Sequence, residues 1–259
     1  MTMDILVCVK RVPGTGSSVP ITDDGLSVDT RHLGFTIGPH EECAVEEAIR
    51  LTDTHGGEVT VLTAGPAEAA EQLRYALAMG AHHGVLADTG TTDLDPQATA
   101  TVLATALTQL RADGRDFDLI LFGNESADAG NYQVGIRVAC ELGLSIVGGI
   151  KGIDVDTDAR RVRLRRDTPE GIEVYEAALP TAVAVKEGLN LPRYPSVRGR
   201  IRSRKAQLRP VEVTPLPGGL RKLRLRPAPD KGEATVVLGH GPDAAIAVAD
   251  LFDELGVTP

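Results

Sequence analysis

The chain has 259 residues, of which 42% are hydrophobic and 24% are charged. It is therefore long enough for a substantial core, and its composition excludes a wholly disordered polypeptide. Its cysteines, Cys8, Cys43 and Cys140, lie far apart, which excludes a disulfide framework and a CxxC metal or redox motif. Aromatic residues make up 3% and include no tryptophan, so we expect no stacking platform for nucleic acid. We also expect no signal peptide and no membrane span, and therefore a cytoplasmic protein.

Charge is distributed unevenly along the sequence. Residues 1–150 carry 8 Lys and Arg against 21 Asp and Glu, a balance of −13, whereas residues 151–226 carry 18 against 9, a balance of +9. Residues 227–259 carry 1 against 6, a balance of −5. The acidic first part disfavours nucleic acid binding, and the basic middle part favours an anionic or acidic partner.

Short apolar strands alternate with amphipathic helices through the first 150 residues. In chain order the pattern predicts a strand at 3–9, a small hairpin at 21–28, a helix at 41–52, a strand at 58–64, a helix at 68–79, a strand at 84–87, a helix at 96–111, a strand at 118–122, a helix at 132–142 and a strand from 144. This alternation indicates βαβ units, and hence an α/β fold with a doubly wound, mostly parallel sheet. Ligands of such sheets bind beyond the carboxyl ends of the strands, where the strand order switches.

The pattern changes after residue 150. Segments 151–156, 161–166 and 172–178 predict a β-meander insertion, after which strand 182–186 returns to the core. From 187 onward, prolines punctuate about forty residues, which is typical of a binding loop or of an arm around another subunit. An amphipathic helix at 242–255 closes the chain. We therefore divide the sequence into a nucleotide-binding α/β domain, 1–186, and a recognition loop with a C-terminal arm, 187–259.

The segment GNESADAGNYQVG, residues 123–135, follows an apolar strand and opens a helix. Backbone N–H groups and the helix dipole in such a loop suit a phosphate group, although an ordinary βα loop is the alternative. The spacing matches neither GxGxxG nor the P-loop, and the absence of the P-loop lysine argues against nucleotide hydrolysis. Two further loops, GPHE at 38–41 and TAGP at 63–66, are expected at the same edge of the sheet. Together the three loops predict a nucleotide site.

Motifs for catalysis are missing from the sequence. It contains no HExxH, GxSxG or Cys–His arrangement and no compact carboxylate cluster typical of a metal loop. We therefore expect no catalytic residue and no metal site, and a protein that binds rather than breaks bonds.

Five ordered motifs are similar to those of a known family. They are ILVCVKRVP at the start, AVEEAIRL, VLTAGP followed by LRYALAMGAHHG, GNESADAGNYQVG, and LNLPRYPSVRGRIRSRKAQL at 189–208. Over nearly its whole length the chain resembles the beta subunit of electron transfer flavoprotein, including the nitrogen-fixation-associated relatives. The resemblance implies an electron carrier that works as an alpha–beta heterodimer, with its redox FAD held largely by the alpha subunit.

The resemblance also implies a structural AMP in the beta subunit. The matching positions are Cys8, Gly38, Pro39, His40, Glu41, Ala64, Asn124, Glu125, Ser126, Ala127, Asp128, Ala129, Gly130, Asn131, Tyr132, Gln133, Val134 and Gly135. Many AMP-binding members have Gln-Thr-Gly where this chain has Gln-Val-Gly at 133–135, the form of members that carry a second FAD. Thr15 stands where some members place a tyrosine near the flavin. We expect AMP, with a second FAD as the alternative.

The basic segment matches the family's partner-recognition loop. The positions carried over are Arg193, Tyr194, Pro195, Ser196, Val197 and Arg198, with Val197 at the place of an apolar anchor that is usually leucine. The arm and terminal helix are expected to wrap the alpha subunit. The implied route takes electrons from flavin dehydrogenases to the membrane-bound electron transfer flavoprotein–quinone reductase. The alternatives are a bifurcating subunit that oxidises NADH at a second FAD, and a stand-alone adenine-nucleotide sensor, against which the long arm argues.

Overall fold

The computed structural model describes residues 2–14, 19–227 and 236–257, so Thr15 lies outside the described residues. The chain forms two compact units, Met1–Arg224 and Leu225–Pro259. The boundary predicted after residue 186 concerns partner binding and stays a prediction.

A parallel sheet of seven strands organises the first unit. The described strands are β1 (Ile5–Cys8), β2 (Val12–Pro13), β3 (Phe35–Thr36), β4 (Val59–Gly65), β5 (His83–Asp88), β6 (Leu119–Gly123), β7 (Ile146–Ile150), β8 (Gly152–Asp156), β9 (Arg161–Thr168), β10 (Gly171–Ala178), β11 (Thr181–Val185) and β12 (Arg209–Val211). The sheet has the order β12-β5-β4-β1-β6-β11-β7, with parallel pairing throughout. All four residues of β1 are buried, as expected of a central strand with both faces covered.

Helices cover both faces of this sheet. The described α-helices of the first unit are α1 (Pro39–His55), α2 (Ala70–Met79), α3 (Pro96–Ala112), α4 (Val134–Glu141) and α5 (Val197–Lys205); α6 (Ala244–Glu254) belongs to the second unit. Ile5 and Val7 of β1 pack in one apolar cluster with α1 and α2, whereas Leu6 and Cys8 pack in another with α3 and α4. Alternate residues of β1 thus pack into two apolar clusters, one on each face of the sheet. The predicted doubly wound fold is confirmed.

The strand order reverses beside β1. From β1 the chain builds β4 and β5 on one side, and α3 then carries it across to β6 on the other side. The carboxyl ends of β1 and β6 therefore meet at the switch point, where ligands of such sheets bind.

The predicted meander is present as a separate antiparallel sheet, β10-β9-β8. Val162 and Leu164 of β9 are buried in the core, and the alternating Arg161, Arg163 and Arg165 are exposed. Arg163 bonds Glu176 and Arg165 pairs with Asp154, so this basic strand is largely neutralised by its neighbours. The predicted hairpin at 21–28 is reduced to one bridge between Ile21 and Val28.

The proline-punctuated stretch from 187, predicted as a binding loop or arm, contains a helix and a strand that the sequence did not predict. Residues 197–205 form α5, whose N-cap Ser196 accepts a hydrogen bond from the Gly199 amide at 3.0 Å. A Cβ on Gly199 would overlap the Ala78 carbonyl of α2, so glycine permits this close helix contact. β12 adds an edge strand next to β5, where Pro210 is tolerated because an edge leaves its missing N–H without consequence.

The second unit contains α6, the predicted terminal helix. No residue of this helix is buried among the described residues, and Ile246 and Phe252 are 74% and 46% exposed. None of the helices in the described ranges is long and apolar enough to cross a bilayer.

Candidate functional site

The carboxyl ends of β1 and β6 and the first turn of α1 come together at the switch point. Cys8 ends β1 and is buried, and it pairs in register with Phe122, next to Gly123 at the end of β6. Burial raises the pKa of the Cys8 thiol, so Cys8 forms an inert wall rather than a reactive thiolate.

Two glycines let α1 and the loop after β6 approach each other. A Cβ on Gly123 would lie 2.8 Å from Glu41 Cγ and 3.2 Å from His40 Cβ. A Cβ on Gly38 would overlap Glu41 Oε2 and lie 3.7 Å from the Ala127 side chain. A larger residue at either glycine would therefore require the Glu41 side chain to move. Residues 38–41 and the loop at 124–133 therefore lie against each other and form one cradle; that it binds a nucleotide stays a prediction.

Glu41 is a buried carboxyl group within this cradle. It is 4% exposed, and its Oε2 has no hydrogen-bond partner among the described residues. Burial raises the pKa of Glu41 to about 7, with Asp128 adding to the rise and Lys10 opposing it. An unpaired buried oxygen is costly, and the group is suited to a polar ligand atom.

A second contact joins the two loops. Lys10 Nζ lies 2.7 Å from both carboxylate oxygens of Asp128, and the Ala129 amide donates to Asp128 Oδ1 at 2.8 Å. Burial alone would raise the pKa of Asp128, but Lys10 outweighs it and the pKa is lowered. Asp128 is therefore charged, and the segment that follows β1 is tied through Lys10 to the loop after β6.

His40 touches two segments that are far apart in sequence. Its Nδ1 accepts a hydrogen bond from the Glu187 amide at 2.8 Å, which places the ring proton on Nε2. That Nε2 lies 3.5 Å from Glu125 Oε1. Glu125 also accepts a hydrogen bond from the Tyr132 hydroxyl, which raises the pKa of Tyr132.

The loop at 124–133 is anchored at its start by Asn124. The Asn124 amide donates to the Val185 carbonyl and its Oδ1 accepts from the Gly149 amide, each at 2.8 Å. Gly130 and Tyr132 have φ values of 55° and 57°, which bend the loop before α4 begins at Val134. The first amides of a helix lack intrahelical acceptors, so this end of α4 is suited to an anion.

The remaining predicted residues occupy different places. Ala64 lies near the end of β4, at the same edge of the sheet. Gln133 Oε1 accepts from Arg137, and Gly135 packs against Phe122, whose Cγ would be 3.1 Å from a Cβ. Ser126 accepts at its carbonyl from the Gly130 amide, whereas Ala129 and Asn131 are exposed. Their part in ligand binding stays a prediction.

The structure adds two groups that sequence reasoning missed. These are the Lys10 ammonium and the Glu187 amide. The signal for Lys10 was its place directly after the strand predicted at 3–9. The Glu187 amide has no such signal in the sequence, because its hydrogen bond to His40 joins residues 147 positions apart. Among the described residues no cluster of three or more His, Cys, Asp or Glu could hold a metal ion.

The recognition segment, which we define as residues 187–205, is attached to α1 and α2. Pro195 is buried, whereas Tyr194 and Val197 are 80% and 75% exposed and Arg198 is also exposed. Arg74 of α2 donates to the carbonyls of Ser203, Arg204 and Ala206 at the end of α5. The segment thus presents apolar and basic side chains from a fixed backbone.

Known proteins match this chain over most of its length. The family model described as "Electron transfer flavoprotein domain" matches residues 25–216. The electron transfer flavoprotein subunit beta of Megasphaera elsdenii is 33% identical over 233 residues, which span 88% of this chain and 85% of that protein. The subunit of the same name from Bacillus subtilis (strain 168) is 34% identical over 215 residues, 83% and 80% of the two chains. That from Mycobacterium leprae (strain TN) is 35% identical over 211 residues, 79% and 77%.

Proposed function

Because the chain belongs to the electron transfer flavoprotein family, as a relative of its beta subunits, we propose that it is one half of a cytoplasmic alpha–beta electron carrier. In this proposal it takes electrons from flavin dehydrogenases and delivers them to the membrane-bound electron transfer flavoprotein–quinone reductase. FAD, shared with the alpha subunit, supplies the redox chemistry. The residues of this chain bind, orient and dock.

The cradle at the switch point supports an adenine nucleotide in this subunit. The observation that supports this is the meeting of residues 38–41 with Gly123 and the loop at 124–133 beside Oε2 of Glu41, an oxygen that has no hydrogen-bond partner among the described residues. Carboxylate oxygens are suited to the hydroxyl and amino donors of a nucleoside. The end of α4 is suited to a phosphate.

The charges of the cradle do not decide between AMP and a second FAD. The Lys10 ammonium is held by Asp128 at 2.7 Å, and His40 Nε2 lies 3.5 Å from Glu125. The phosphomonoester of AMP carries a charge of about −1.5 to −2, which is similar to that of the diphosphate of FAD, so charge favours neither. The family resemblance keeps AMP as the first candidate.

Val134 supports the second candidate, a bifurcating subunit with a second FAD that oxidises NADH. Val134 is the first residue of α4 and packs partly buried against the apolar cluster. It provides no hydroxyl where a threonine would offer one to a phosphate. The number of FAD molecules per heterodimer separates the two candidates.

Exposed apolar groups support partner binding over a stand-alone nucleotide sensor. Tyr194 and Val197 of the recognition segment stand beside Arg198 and Arg200, a combination suited to an acidic partner with an apolar pocket. In the second unit, the exposed side chains of Ile246 and Phe252 on α6 form an apolar surface that the alpha subunit would bury.

The test is co-expression with an alpha subunit of the same family from the same organism, followed by denaturation of the purified heterodimer and quantification of released nucleotides. We expect one FAD and one AMP per heterodimer. Two FAD with NADH reactivity would support bifurcation. A colourless monomer without adenine nucleotide would contradict the carrier.

A further inference from the structure

One face of α1 carries the extended part of the recognition segment. His40, Cys43 and Glu47 are spaced i, i+3 and i+7, which places them on one face of the helix. His40 accepts from the Glu187 amide, and Asn190 Nδ2 donates to the Cys43 carbonyl at 3.0 Å and to Glu47 Oε2 at 2.8 Å. The segment therefore follows α1 from its first turn.

The same first turn of α1 lines the nucleotide cradle. Glu41 is enclosed by Gly38 and Gly123, and His40 Nε2 lies 3.5 Å from Glu125 in the loop after β6. A single imidazole therefore contacts the cradle on one side and the start of the recognition segment on the other. The Asn124 amide adds a parallel contact, since it bonds the Val185 carbonyl two residues before Glu187.

We propose that His40 is a positioning residue that couples the nucleotide site to the recognition segment, so that an adenylate in the cradle holds residues 187–196 in their partner-binding conformation. This inference rests on the proposed function. A ligand that fixes Glu125 and the first turn of α1 also fixes His40, and with it the acceptor for the Glu187 amide. By linkage, docking on the segment tightens the nucleotide by the same factor.

The test compares the heterodimer refolded with and without AMP. Amide hydrogen exchange is followed over peptides covering 187–196, with the meander strands β9 and β10 as internal reference. We expect AMP to slow exchange at 187–196 by about fivefold or more and to leave the meander unchanged. Equal exchange with and without AMP would overturn the coupling.

A matched pair of variants assigns the effect to His40. H40L removes both of its contacts, whereas H83L removes a histidine whose Nε2 lies 2.7 Å from Glu58 at the amino end of β5. We expect the AMP effect to persist in H83L and to vanish in H40L. An AMP effect of wild-type size in H40L would overturn the proposal. If H40L does not retain AMP, Glu125→Ala removes the contact between His40 and the loop after β6 instead. Loss of the AMP effect on exchange at 187–196 in Glu125→Ala would support the coupling, and an effect of wild-type size would overturn it.

Thermal unfolding of the heterodimer in the presence of AMP distinguishes failure of the proposed function from failure of the coupling alone. No AMP-dependent rise in Tm contradicts the proposed function, and the coupling falls with it. A rise in Tm with unchanged exchange at 187–196 contradicts the coupling alone.

Discussion

Arg193 makes three hydrogen bonds to the buried carboxylate of Glu46. Its backbone amide lies 3.0 Å and its Nε 2.8 Å from Oε2, and its Nη2 lies 3.2 Å from Oε1. Glu46 is 2% exposed, and Arg50 donates to it from Nε at 2.8 Å. The recognition segment is therefore fastened to a buried group of a core helix, which explains how an extended stretch keeps a defined position.

Replacing Glu46 by Gln should loosen this attachment. The amide keeps one acceptor but loses the charge shared by two guanidinium groups, and since Arg193 is 38% exposed, solvent screens part of the loss. We expect the free energy of unfolding to fall by about 1–3 kcal/mol and amides 190–196 to exchange faster. Urea titration measures the first quantity, with the exposed Glu71→Gln as control. Unchanged exchange at 190–196 would contradict the anchoring role.

The same carboxylate predicts a pH dependence. Burial alone would raise the pKa of Glu46, but the hydrogen bonds of Arg193 and Arg50 lower it below its ordinary value. The native state therefore favours the ionised form, and its stabilisation is complete above the unfolded-state pKa and lost as pH falls through the folded-state pKa. We expect the stability difference between wild type and Glu46→Gln to shrink in acid. A stability difference that grows in acid would contradict a lowered pKa of Glu46 in the native state.

Glu41 predicts the opposite trend. Burial raises its pKa to about 7 from the ordinary 4.5, so the native state binds this proton more tightly than the unfolded chain. The stability contributed by that proton is complete below pH 4.5 and is lost as pH rises to about 7. Relative to wild type, the nucleotide-free heterodimer of Glu41→Gln should gain stability over this window, on the order of 3 kcal/mol in total. Urea titrations at several pH values measure the gain, and a flat difference between the two proteins would refute a raised pKa.

Enlarging Gly123 tests whether the close approach of α1 and β6 is needed for nucleotide binding. In Gly123→Ala the added methyl group would lie 2.8 Å from Glu41 Cγ and 3.1 Å from Cδ, so α1 has to move away from β6. Overpacking of this kind costs about 1–3 kcal/mol. We expect that loss together with depletion of adenine nucleotide from the purified heterodimer. Gly34→Ala is the matched control, because a Cβ there meets nothing within 4 Å. Full nucleotide content in Gly123→Ala would place the ligand elsewhere.

Local patterns were sufficient to predict most of the fold. The alternation of β1, with Ile5 and Val7 on one side and Leu6 on the other, and the turn-bounded arginine strand of the meander depend on neighbours in sequence. α5 was missed although Ser196 supplies a local N-cap, because the other contacts that hold the helix come from outside it. Gly199 fits against Ala78, and Arg74 caps the last carbonyls. Neither contact leaves a signal within residues 187–205.

The cradle was predictable as a meeting of loops but not as a chemical environment. Parallel strands bring their carboxyl ends to one edge, which placed residues 38–41 near the loop at 124–133. The burial of Glu41, the Lys10–Asp128 pair and the bond from Glu187 to His40 depend on contacts over 100 residues or more, or on packing between two glycines. These contacts exist only in the assembled fold, so no local sequence pattern predicts them.

Val197 offers a direct test of partner recognition. Its side chain is 75% exposed, at the start of α5 and beside Arg198. Val197→Ala removes two methyl groups, which is worth about 1.5 kcal/mol if they are buried in a partner pocket. We expect dehydrogenase-coupled reduction of the heterodimer to need roughly tenfold more carrier, with kcat and bound FAD unchanged, and Val197→Leu to act in the opposite direction. Val174→Ala on β10, where valine is 56% exposed, is the control. An unchanged KM in Val197→Ala would show that the apolar anchor is another residue.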